Sequence, residues 1–187
     1  FGLAFLVAGI TFVAQRSGGA VTELGALTFG DRLGNAIVGF SVYLGRLVWP
    51  MDLAYLYPHP SFVPPFEGWS AAAVGGSLAL LIAVTGAGLW LYRRGVRYPL
   101  VGWLWYLGTL VPVIGLVQVG SQANADRYMY IPQIGLLWIV CFGAADLIKR
   151  RASLKIPVVA LGVIVAVASI VLTVQNLPHW KNSEALF

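Results

Sequence analysis

Charge is what this chain has least of. Only 10% of its 187 residues are Asp, Glu, Lys or Arg, where soluble domains run near a quarter. An ordinary soluble core cannot explain that deficit over such a length; a polytopic membrane protein can. Cysteine is down to a single residue, Cys141, which rules out an internal disulfide and a cysteine metal cluster. Histidine is limited to His59 and His179, and neither has a second histidine at zinc-like spacing. No Ser–His–Asp order can be defended. The basic excess, twelve Lys and Arg against seven acids, does not point to nucleic acid. The basic residues sit beside apolar spans, where retention on one side of a membrane explains them more simply. No leader with a basic start and a small-residue cleavage site is seen. The chain opens without Met and stops in an amphipathic segment, as a piece of a larger protein would.

What the chain has is apolar length, with 59% hydrophobic residues and a mean hydropathy of +0.81. A helix needs about 20 apolar residues to cross roughly 30 Å of hydrocarbon. Residues 70–92, 100–119, 130–148 and 156–174 are expected to span, and Phe1–Ala14 reads as the end of a further span. Pro112 and Gly115 are expected kink positions in the second of these. Two basic clusters, Arg93/Arg94/Arg97 and Lys149/Arg150/Arg151/Lys155, fill the turns after Tyr92 and after Ile148. Placed in the cytoplasm, they hold seven of the Lys and Arg against one acid, Asp146. Residues 15–69, 120–129 and the C-terminal tail are then extracytoplasmic. Trp49, Trp69, Trp90, Trp103, Trp105 and Trp180 fall near expected span ends, as interfacial aromatics do, with packing between helices the other reading for some of them.

The long outer loop carries one more helix. Thr28 and Asp31 form a capping-box pattern, followed by Leu33, Ile37, Phe40, Leu44 and Leu47 at helical spacing. Arg32, Asn35 and Arg46 interrupt the polar side. Asp31–Val48 fits a helix lying in the interface or dipping into it, or one that spans; the interfacial reading is preferred. Pro58, Pro60, Pro64 and Pro65 make the next stretch a stiff extended loop.

Few residues can carry chemistry. The outer loop Ser121–Tyr130, SQANADRYMY, offers Arg127 as a fork for a lipid phosphate, held in place by Asp126. The plainer reading is a capped helix start with Arg127 reaching the headgroups. Arg16, in AQRSGGA, is the second cationic candidate, beside a Gly18–Gly19 pair that permits close backbone approach; an ordinary interfacial Arg ends helices in the same way. Gln118 stands near the outer end of its span and can line a cavity. His59, in YPHP, is more often structural than catalytic in such a setting.

At this point several blocks resemble a known group. AQRSGGA, Arg32…Asn35-Ala36…Tyr43-Leu44…Trp49-Pro50, YPHP, GWLWYLGTLVPVIGLVQVG, ADRYMYIPQIG and HWKNSEALF are similar to bacterial multi-pass proteins with C-terminal tetratricopeptide repeats. Those proteins are similar to the transmembrane-and-tetratricopeptide-repeat O-mannosyltransferases. The resemblance implies an all-α, GT-C-like polytopic transmembrane bundle of about five spans plus one interfacial or re-entrant helix. It implies a membrane domain over 1–176 and the start of a repeat region at 177–187. The implied activity is glycosyl transfer from a polyprenyl-phosphate-linked sugar to a protein or glycan acceptor, in a bacterial inner membrane. Its catalytic acid or base is expected upstream of Phe1. The chemistry leaves room for a divalent metal, but this stretch offers no convincing ligand set, and no nucleic acid is implied. A polysaccharide polymerase or ligase, or a non-catalytic membrane anchor for the repeats, are the alternatives.

Overall fold

The computed structural model of the chain describes residues 27–50, 57–65, 67–116 and 122–177. Among these it is mostly helical, with helices α1 (Phe29–Val48), α2 (Ala71–Arg93), α3 (Tyr98–Leu110), α4 (Pro132–Arg150) and α5 (Lys155–Asn176). Three segments are long and apolar enough to cross a membrane, Ala71–Arg93, Pro132–Arg150 and Ala152–Asn176. The expected span at Phe1–Ala14 and the repeat lead-in from residue 178 lie outside the described residues.

Local chemistry sets the helix ends. Thr28 and Asp31 close the expected capping box on α1: Thr28 Oγ1 accepts from the Asp31 N–H, and the Asp31 carboxylate accepts from the Thr28 N–H. Ser70 caps α2 by accepting from the Ala73 N–H at 3.2 Å. The basic turn that follows passes through Gly95 at φ 88°, a left-handed conformation that glycine adopts without penalty.

Antiparallel packing of α2, α3 and α4 builds the bundle. Trp103 Nε1 donates to Thr85 Oγ1 at 2.9 Å, and Gly88 faces Leu100, so α2 and α3 run in opposite directions. Tyr98 stacks near Phe142 while Trp105 Nε1 donates to the Ile131 carbonyl at 3.0 Å, which opposes α3 and α4. Both basic turns therefore fall at one end of the bundle. Gly102 and Gly135 bring the α3 and α4 backbones into contact, each glycine facing the other's carbonyl oxygen. Small residues allow this approach in helix pairs that lack a hydrophobic driving force between them.

The α3 segment corrects one expectation. Residues 100–116 are not one continuous helix. The helix has 13 residues, about 20 Å at 1.5 Å per residue, and gives way to turns from Val111. Pro112 follows the last helical turn, and Gly115 sits at φ 93°, so the kink positions act as a stop. Trp103 is 2% exposed and stacked on Tyr106 inside the bundle, so it is one of the tryptophans that pack between helices.

Helix α1 lies along the end opposite the basic turns. Gly34, near its start, faces Val74 in the first turns of α2. Its last turn reaches Asn124 and Asp126, just ahead of α4. With both ends fastened to the same end of the bundle, α1 does not run the bundle's length. Its inward face differs from the expected one. Asn35, Ala36, Val38, Gly39 and Tyr43 are buried, while Leu33 is exposed. Asn35 is not on the polar side. Bonds from Asn35 and Tyr43 to backbone groups outweigh the apolar stripe in setting the rotation.

Helix α5 makes the opposite case. No part of its apolar window is buried within the chain. A helix that is hydrophobic all round and unburied needs an apolar solvent or an apolar partner.

Gly102→Ala should lower the thermal midpoint in detergent, by about 1–3 kcal/mol of stability, because the added methyl meets a backbone carbonyl that cannot step aside. Gly108→Ala, in the same helix with nothing within 4 Å of its position, should leave it unchanged. Equal midpoints for the two variants would remove the close contact from the account.

Candidate functional site at the outer end

A polar cluster joins the last turn of α1 to a short two-stranded ribbon, β1 (Tyr57–Pro58) and β2 (Gln122–Asn124), paired antiparallel with Tyr57 opposite Asn124. Its centre is Arg46. The guanidinium lies 3.5 Å from the centre of the Tyr57 ring. Its Nη1 donates to Asn124 Oδ1 at 2.8 Å and to Asp126 Oδ1 at 3.2 Å. Tyr57 closes the ring of contacts by donating its hydroxyl to Asp126 Oδ2 at 2.9 Å. Arg46 and Asp126 are about one-fifth exposed, so this pair is screened less than a surface pair. Only Nη1 of the fork is engaged among the described residues. The remaining guanidinium donors can meet an anion.

One turn back, Tyr43 holds the same segment. Its hydroxyl accepts from the Ala125 N–H and donates to the Ala125 carbonyl, both at 3.0 Å. Asn35 does the equivalent work farther along. Its Nδ2 donates to the Ala123 carbonyl at 3.0 Å and more weakly to that of Ile114 at 3.4 Å, and its Oδ1 accepts from Trp69 Nε1 at 3.0 Å. Asn35, Gly39, Tyr43 and Arg46 follow at intervals of four, four and three, one face of a helix. That spacing was legible. Arg46 was passed over because a charge on an amphipathic helix is read first as solvated.

Arg127 is exposed, with its guanidinium carbon 5.0 Å from the Tyr128 ring and Nη2 within 3.4 Å of the Tyr128 hydroxyl. Among the described residues the Asp126 carboxylate turns to Arg46 and Tyr57 instead of to Arg127. The backbone explains the difference. Residues 126–129 form a 3₁₀ turn, in which adjacent side chains diverge. Arg16 and Gln118 lie outside the described residues.

His59 belongs to a second feature, a pocket of about 200 Å³ at the start of α1. Asp31, Ser61, Glu67, Trp69 and His59 line it above an apolar floor that includes Leu33, Ile37 and Val74. His59 is 1% exposed, and its Nδ1 accepts from the Ser61 N–H at 3.2 Å. A neutral ring must then carry its proton on Nε2, which has no partner among the described residues. Burial lowers the His59 pKa, against the pull of the Asp31 carboxylate, which raises it. Asp31 itself is held below the usual carboxylate range by its Thr28 hydrogen bonds. Its role is to cap the helix, and it is a poor base. Among the described residues no three His, Cys, Asp or Glu side chains are grouped to hold a metal ion.

Comparison with family models, curated proteins and solved structures finds no match to this chain.

The folded state favours neutral His59, so its pKa lies below the ordinary 6.5. The unfolded chain binds more protons as pH falls. The contribution is complete above pH 6.5 and is lost as pH drops through the folded value. Thermal unfolding in detergent should therefore show a midpoint that falls below pH 6.5, and His59→Asn should flatten that slope. An unchanged slope in the variant would mean that another group carries it.

Proposed function

We propose that the chain is the C-terminal part of the membrane domain of a glycosyltransferase. The enzyme takes a sugar from a polyprenyl-phosphate carrier on the extracytoplasmic face of a bacterial inner membrane, within a GT-C-like bundle. The resemblance of the ADRYMYIP and WKNSEALF blocks supports this reading. The observation that carries it is the pair of arginines, Arg46 and Arg127, in the short segments at the end of the bundle away from the basic turns.

Loss of a lipid phosphate as leaving group develops negative charge, and fixed cations there stabilise the transition state. Arg46 suits this role through a fork braced on one nitrogen by Asn124 and Asp126 and from below by Tyr57. Arg127 adds a second, exposed cation, and Arg16 is the third candidate. Asp126 positions Arg46. The acid or base that activates the acceptor is expected upstream of Phe1.

The His59 pocket has a separate part. Asp31 and Arg46 are 15 residues apart on one helix, roughly 22 Å at 1.5 Å per residue. One sugar phosphate does not bridge that distance. The pocket's carboxylates, Ser61 hydroxyl and indole suit hydroxyl groups on the acceptor, protein or glycan, better than they suit the carrier phosphate.

Arg127→Ala and Arg46→Lys in the full-length protein should each reduce transfer by on the order of tenfold or more, while the protein still inserts. Insertion is read by labelling a cysteine at position 121 from the outer side, in a Cys141→Ser background. Unchanged turnover in both variants would remove the arginines from the site and leave the anchor reading. Labelling only from the cytosol would place the cluster on the wrong side for an extracytoplasmic enzyme.

A further inference from the structure

The opposite end of the bundle has chemistry that the proposed transfer does not use. Arg93, Arg94 and Arg97 occupy the turn between α2 and α3, and Lys149, Arg150, Arg151 and Lys155 occupy the turn between α4 and α5. All seven are exposed, and none forms an ion pair among the described residues. The nearest acid in sequence is Asp146, one helical turn before Arg150, and it is unpaired as well. The two turns lie side by side because α3 and α4 touch at Gly102 and Gly135, and because Tyr98, next to Arg97, stacks within 5.9 Å of Phe142. Arg94 rests over the exposed Trp90 ring at 4.8 Å. A guanidinium on an indole at the end of an apolar helix is a headgroup-depth arrangement.

We infer that this end is a binding surface for anionic phospholipid headgroups. Seven cations crowded at the end of three membrane-length segments repel one another unless an anion neutralises them. The chain supplies no such anion among the described residues. The flanking segments are unburied and apolar, so the neutralising groups must come at the depth of the lipid phosphates. Basic clusters beside membrane helices recognise anionic headgroups in this way. The surface is independent of the outer cluster and of any transfer reaction.

The test uses the purified full-length protein in nanodiscs of phosphatidylcholine and phosphatidylglycerol in equal parts. Lipids retained after extraction into detergent are then counted by mass spectrometry. Neither membrane face is favoured in a disc, so changes in topology do not confound the result. The wild type should retain phosphatidylglycerol above its share, and added salt should erase the excess. The variants R93Q/R94Q/R97Q and K149Q/R150Q/R151Q/K155Q should each lower the excess, by on the order of fivefold or more. R32Q, at the outer end, should not. Thermal midpoints confirm that the variants are folded, and single substitutions from the same turn are read where a multiple variant is not. Retention equal to the bulk composition, or an equal loss in R32Q, would overturn the inference. Heparin binding in pure phosphatidylcholine discs without any phosphatidylglycerol preference would also overturn it, in favour of a soluble polyanion.

Discussion

Backbone that leaves the helical path near hydrocarbon must find hydrogen-bond partners, because lipid offers none. In this chain Val111–Leu116 and Gln122–Ala125 do so. One face of α1 supplies their partners. Asn35 takes the Ile114 and Ala123 carbonyls, Tyr43 takes both backbone groups of Ala125, and Arg46 takes the Asn124 side chain. A buried amide or carbonyl left without a partner costs several kcal/mol in a medium this apolar (~2–7 depending on reference state). The polar residues on an otherwise apolar helix face are explained by that requirement before any function is invoked.

The same requirement accounts for the arrangement of the helices. A helix of 13 residues cannot cross roughly 30 Å of hydrocarbon. Helix α3 stops short, and α1 lies over the space it leaves. Tyr106, in the last turns of α3, donates its hydroxyl to the Phe40 carbonyl of α1. Gly39 lets α1 settle on Ile114, where a methyl group would come within 3.2 Å of that side chain. The result is a bundle whose outer end is partly closed by a helix lying across it and a small ribbon.

Much of this was legible in the sequence. The capping box at Thr28, the Ser70 start of α2 and the positions of the last two apolar helices follow from local rules. Those rules act within a turn or two, and nothing distant overrides them. The length of α3 was not legible. Hydropathy continues unbroken through Val119, and only the paired action of Pro112 and a left-handed Gly115 ends the helix. The rotation of α1 was missed because it depends on carbonyls about 80 to 90 residues away. Such bonds leave no periodic trace except the Asn35, Gly39, Tyr43, Arg46 spacing. The pairing of Asp126 with Arg46 in place of its neighbour Arg127 has the same origin, a contact between segments that are adjacent only after folding.

The two ends of the bundle also treat charge differently, and the difference has a consequence for chemistry. At the end with the basic turns seven cations stand unpaired among the described residues. At the opposite end Arg46 is already matched by Asp126, through one nitrogen of its fork. A fully unpaired arginine there would be fluid in position and strongly hydrated. An arginine fully enclosed by carboxylates would be unable to accept a phosphate. Holding one edge of the guanidinium on Asn124 and Asp126, with Tyr57 beneath it, fixes the plane and leaves donors on the other edge. Preorganisation of this kind lets a cation respond to charge that appears during a reaction without reorganising first. The ion pair is therefore better understood as a clamp on the orientation of Arg46 than as a source of stability.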